Sequence, residues 1–148
     1  MEFIFMAKAK PITSMQSFGI YTQWDSSSKD LPQIQSFTTK VPAKLNIEFG
    51  FIVNFKKAKG EKLRYCIYHP EIPDDEGVAL PPFEGVEYVK GNDWDFYLGD
   101  TLWEPINTKT GDWRMTIELN GKIIADKTFA VFVQEAMSEI EFWQKRGY

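Results

Sequence analysis

Gly111–Val133, GDWRMTIELNGKIIADKTFAVFV, carries the clearest structural signal in the chain. Trp113, Met115, Ile117 and Leu119 alternate with Arg114, Thr116 and Glu118. A period of two puts the first set on one face of a strand and the second on the other. Asn120-Gly121 follows at once, a pair that tolerates the positive φ values of a two-residue type I′ turn. The return strand carries Ile123 or Ile124, Phe129, Val131 and Val133. The stretch reads as a β-hairpin, with Trp113 as a core anchor.

Leu45–Phe55 repeats the pattern. Leu45, Ile47, Phe49, Phe51, Val53 and Phe55 share one face, and Asn46, Glu48, Gly50, Ile52 and Asn54 share the other. The expectation is a strand with one buried and one largely wet face. Lys56–Lys62 is a charged turn. Leu63, Tyr65 and Ile67 alternate with Arg64, Cys66 and Tyr68, so residues 45–69 read as a second hairpin ending at His69. Shorter strands are expected at Phe18–Trp24, within Gly85–Gly91 and at Trp94–Leu98. Pro42 confines Gln33–Lys44 to an edge strand or an extended crossing. Residues 1–16 read as an N-terminal segment or edge strand, with Phe3 and Phe5 in alternation. After residue 133 the period changes. Ala136, Met137, Ile140 and Trp143 fall at helical spacing, and Glu141 and Lys145 form an i,i+4 pair. The expected organisation is therefore residues 1–16, a β domain over 17–133, and a short C-terminal α-helix over 134–148. Two hairpins, about seven strands and no interior helix point to an all-β, immunoglobulin-like antiparallel β-sandwich, with a closed barrel as the alternative.

The chain has 148 residues, a single-domain length. Aromatic residues make up 16%, a composition that favours pleated surfaces. A net charge of −4 argues against a general nucleic-acid binder. Cys66 is the single cysteine, so no internal disulfide forms, which suits a reducing compartment. Lysines follow the first apolar run instead of preceding it, the reverse of a secretory signal, and no run has transmembrane length. The expectation is a cytoplasmic protein without membrane or nucleic-acid partners.

Several short motifs resemble a bacterial domain-of-unknown-function family, number 3859: Gly19-Ile20-Tyr21, Thr38-Thr39-Lys40-Val41-Pro42-Ala43, Phe49-Gly50, His69-Pro70, and Gly111-Asp112-Trp113 with Phe129. The resemblance covers roughly residues 17–133. It implies an all-β sandwich and supplies no activity and no catalytic residues.

Candidate chemistry is sparse. His69, the only histidine, precedes an acidic loop containing Glu71, Asp74, Asp75 and Glu76, but these lack ligand spacing. Asp93, Asp95 and Asp100 could form an oxygen-only calcium site, yet the loop glycine and closing Glu of a calcium loop are missing. Cys66 lies on the strand face opposite His69, so it reads as a structural thiol. Lys56, Lys57, Lys59, Lys62 and Arg64 form a basic knob that also serves as a solubilising turn. Nothing indicates a cofactor, a metal or an enzyme. Trp103 stands outside any alternation in a polar connection, and Trp143 projects from the terminal helix. With His69 and Trp94 they are the expected ligand or partner contacts. The leading expectation is a non-enzymatic protein-interaction module, through a protein partner or self-association. The alternative is a small-ligand or carbohydrate-binding β domain using exposed Trp and Tyr.

Overall fold

The alternation in the opening hairpin translates directly into burial. Trp113, Met115 and Ile117 are fully buried, while Arg114 is exposed. A computed structural model describes residues 10–133 and contains nine strands. They are β1 Ile12–Tyr21, β2 Ile34–Ser36, β3 Lys40–Pro42, β4 Glu48–Lys56, β5 Lys62–Tyr68, β6 Phe83–Tyr88, β7 Asp93–Thr101, β8 Gly111–Leu119 and β9 Lys122–Phe132. A four-stranded sheet runs β2-β1-β4-β7 and a five-stranded sheet runs β3-β9-β8-β5-β6. The two sheets form a sandwich, not a closed barrel. All pairings are antiparallel except β3 with β9.

The β8–β9 turn has Asn120 and Gly121 at φ 51 and φ 84, as a type I′ turn requires. Across the sandwich, Phe49 meets Trp113 edge-on at 5.4 Å and Phe129 at 5.6 Å. Phe51, Val53 and Phe55 extend the same buried face of β4.

Three expectations change. Residues 45–69 are not a hairpin: β4 pairs β1 and β7, whereas β5 pairs β6 and β8. The connection instead crosses between sheets. Lys57 at φ 59 and Gly60 at φ 83 bend it, and Ala58 is drawn into the core. Nor is the second face of β4 wet, since Glu48 is 3% exposed and Gly50 and Asn54 are buried. The cause is a cross-strand register, Gly19–Gly50–Gly99. A side chain on Gly99 would lie 2.0 Å from the Tyr97 hydroxyl, so its absence lets Tyr97 lie flat along the sheet and cover the face. Finally, β1 begins at Ile12, inside the segment assigned to 1–16. The expected helix over 134–148, with Trp143, and the pattern at Phe3 and Phe5 lie outside the described residues.

Four further connections cross between the sheets: β2–β3, β3–β4, β6–β7 and β7–β8. Residues 34–42 pass from β2 in one sheet to β3 in the other, and Pro42 sits in an edge strand. Trp113→Ala should lower the unfolding free energy by about 3–5 kcal/mol, as for other large-to-small core changes. Urea denaturation measures it, and a loss below about 1 kcal/mol would show that this ring is not the inter-sheet anchor.

Candidate functional site

Two sequence candidates meet at one end of the sandwich. His69 follows β5, and its ring stacks on Phe83 at 4.4 Å and approaches Trp113 at 5.9 Å. Trp103 packs against the same two rings, each at 6.2 Å. The imidazole Nδ1 lies 2.6 Å from the Pro70 carbonyl oxygen and Nε2 lies 2.9 Å from that of Pro81. His69 thus ties together both ends of the 70–81 loop. The loop carboxylates do not gather around it; Asp74 instead accepts the backbone N–H groups of Glu76 and Val78.

Lys109, which carried no signal in the sequence, completes this end. It closes a 3₁₀ turn, Ile106–Lys109, and is 1% exposed. Its Nζ donates to the Pro105 carbonyl at 3.1 Å and to Thr108 Oγ1 at 2.8 Å, and lies 4.4 Å from the Trp103 ring centroid. Its carbonyl accepts the Trp113 indole N–H at 2.8 Å. Burial lowers the lysine pKa, and Glu104 opposes the shift. One face of Trp103 is therefore occupied, and the cluster works as a plug that closes the core. Asp100 shares the inner face with Phe49, its register partner. Burial pushes its carboxyl up to about 6, with Glu48 adding to the rise; the Thr101 N–H and His69 act against it.

On the outer face of the four-stranded sheet, Glu48 accepts hydrogen bonds from the Tyr97 and Thr101 hydroxyls. Tyr21 packs on Tyr97 and shares a 2.7 Å hydrogen bond with Ser17, while Trp24 covers Tyr97 from the following loop. Burial, then the Glu48 charge, raises the Tyr97 pKa far above its usual value, so the phenol stays protonated. Asp93 and Asp95 both accept from Asn54, at 2.7 and 2.8 Å. Asp100 lies on the opposite face of β7, which separates the three aspartates of the calcium expectation. Among the described residues no group of three His, Cys, Asp or Glu side chains could hold a metal.

Trp94 lies at the far end of β7 from Trp103, on the order of 25 Å away along the strand. It packs on Phe55 and Phe96 and lines a cleft of about 560 Å³ with Trp24, a residue that the sequence pattern had placed in the first strand. The expected contacts thus divide: His69 and Trp103 converge, Trp94 is remote, and Trp143 lies outside the described residues.

A third feature had no signal in periodicity. The outer face of the five-stranded sheet carries Tyr68, Val86, Tyr88 and Ile123, all more than 40% exposed. Tyr68, Val86 and Ile123 line a concavity of about 430 Å³ together with Arg64, Glu84 and Glu118. Arg114 makes a bidentate pair with Asp126 at 3.0 and 2.7 Å and lies 5.7 Å from the Tyr68 ring. Cys66 sits here half-buried, its Sγ 3.9 Å from Glu84. Desolvation raises its pKa, the reverse of nucleophile activation.

A sequence model described as "Domain of unknown function (DUF3859)" matches residues 9–131. No curated protein matches the chain. Among solved structures, an immunoglobulin-like protein from Pseudomonas aeruginosa aligns with a TM-score of 0.68 at 25% identity. The alignment covers 85% of this chain and 99% of that one, so the two share an immunoglobulin-like sandwich. No helix among the described residues is long and apolar enough to cross a membrane.

The raised pKa of Asp100 fixes a pH dependence. Between its unfolded value of 3.8 and about 6 the folded state holds the extra proton. This group's contribution is therefore greatest below about pH 4 and declines as pH rises to about 6. Asp100→Asn keeps an acceptor for the Thr101 N–H. It should flatten that part of the stability–pH curve and raise stability near neutrality, read from urea midpoints. An unchanged slope would place the carboxyl in solvent.

Proposed function

The chain belongs to the DUF3859 family, and on that footing we propose that it is a non-enzymatic protein-interaction module whose contact surface is the outer face of its five-stranded sheet. One observation carries the reading: exposed Tyr68, Val86 and Ile123 line a concavity on that face together with Arg64, Glu84 and Glu118, and exposed Tyr88 extends the same face along β6. In register, Ile123, Glu118, Arg64 and Val86 run across four strands, so apolar side chains flank a central charged pair. Tyrosine and arginine dominate the energetics of protein contacts. The end cluster supports the same view from the opposite side. His69 lies between two carbonyl groups and Lys109 is buried over Trp103, so both are spent on closing the core. The lone, half-buried Cys66 on the contact face fits a reducing compartment, and we place the module in the cytoplasm.

The carbohydrate reading has less support. Trp24 is tilted 73° against Tyr97 on one side of β7, and Trp94 packs on Phe96 on the other. The two indoles do not form one flat platform for a sugar.

A photo-crosslinking amino acid at Tyr88 should capture one discrete partner in cells of the source organism, while the same group at Lys59 should not. Val86→Glu with Ile123→Glu should abolish capture while changing stability by less than about 1 kcal/mol, since both sites are exposed. Equal capture at Tyr88 and Lys59, or capture that survives the double change, would remove this face as the contact surface. Sedimentation velocity separates a foreign partner from a second copy.

A further inference from the structure

The cleft beside Trp94 has a floor that the outer-face reading does not use. Trp94, Asp95, Phe96 and Tyr97 line it in succession. Neighbouring strand residues point to opposite faces, so four in a row can border one cleft only through the edge of the strand. That edge is the outer side of β7, the terminal strand of its sheet, which among the described residues pairs only with β4. Among the described residues no backbone hydrogen bond reaches it from the loops. Trp24 walls the cleft on the outer side and Lys90, from the β6–β7 connection, stands on the other.

The edge strands of this sandwich are protected unequally. β2 and β3 have three residues each, and β3 ends in Pro42, while β6, the fourth edge, has six residues interrupted by Gly85. β7 has nine residues, no proline, and nine register pairs with β4 without a bulge. Long, flat, unblocked edges recruit another strand unless something prevents it. Here the edge is walled but left open, in a cavity of about 560 Å³, within the range of ligand sites.

We propose that the Trp24–Trp94 cleft binds an extended peptide that adds to β7 as a fifth strand of the four-stranded sheet. The peptide backbone satisfies the unpaired N–H and C=O groups of β7, and its side chains alternate between the Trp24–Tyr97 side and the Trp94–Phe96 side. Each side is aromatic, so the preferred peptide carries apolar residues at successive positions. Lys29 and Lys90 set against Glu87 and Asp95 make the rim complementary to flanking residues of both signs. This site is distinct from the outer face of the five-stranded sheet, and either can fail without the other.

The test uses the full chain and a displayed library of random peptides of about seven residues, roughly 23 Å when extended. Enriched peptides are synthesised and added to isotope-labelled protein. The expected result is slowed amide exchange within Asp93–Leu98. N-methylation at every second peptide amide should weaken binding about tenfold per site, with little effect at the amides between. Any of four results overturns the proposal: no enriched peptide; protection confined to β6 or the outer face; affinity indifferent to N-methylation; or protection of the same β7 amides by a cello- or malto-hexaose, which makes the cleft a sugar site. Concentration-dependent protection without peptide also overturns it, in favour of pairing between copies.

Discussion

The contact of Phe49 with Trp113 across the two sheets is the constraint on which the rest depends. Phe49 sits in β4, the central partner of β1 and β7, and Trp113 sits in β8, the central partner of β5 and β9. Their edge-to-face geometry at 5.4 Å locks the middle of one sheet to the middle of the other. The indole N–H is buried with the ring and needs an acceptor, which the Lys109 carbonyl supplies. That requirement fixes the 3₁₀ turn before β8, and with it Trp103 and the ammonium of Lys109. His69 and Phe83 then complete the plug from the other connection. The end cluster is thus an extension of core packing, though it collects the residue types that a search for chemistry selects first.

The polar face of the four-stranded sheet follows a different rule. Gly99 removes the side chain that would hold Tyr97 away from the backbone, and Gly19 and Gly50, in register with it, admit neighbouring backbone at close range. Tyr97 and Tyr21 then lie down over Glu48, whose carboxylate finds hydroxyl donors where water would have been. A buried carboxylate served only by neutral donors among the described residues is a costly arrangement. It is tolerable here because the donors are fixed by aromatic packing with Trp24. The same packing walls one side of the β7 edge.

Family membership and likeness to an immunoglobulin-like protein agree with this architecture and add no chemistry to it. The distribution of exposed groups carries the functional argument. Apolar side chains flank a charged pair on the outer face of one sheet, and among the described residues the edge strand β7 lacks a second strand partner at the margin of the other. The proposed contacts use these two surfaces, and neither depends on a catalytic group.

The sequence by itself determined whatever depends on near neighbours. Alternation in Trp113–Leu119 fixed the buried face of β8, Asn120-Gly121 fixed its turn, and Pro42 limited its segment to an edge strand or an extended crossing. Each follows from local backbone and side-chain geometry. The tertiary structure decided what depends on partners far along the chain. Periodicity could show strands within 45–55 and 63–69, though β4 begins only at Glu48, after Asn46 turns the chain at φ 67. It could not show that they belong to different sheets, because strand pairing leaves no trace in alternation. It marked Glu48 and Asn54 as polar and therefore wet, since the covering tyrosines come from β1 and β7. It gave no weight to Lys109, whose burial depends on Trp103 and Trp113, or to Trp24, which reaches Tyr97 only after the loop folds back. The free edge of β7 is likewise a property of strand order, which long-range pairing alone sets.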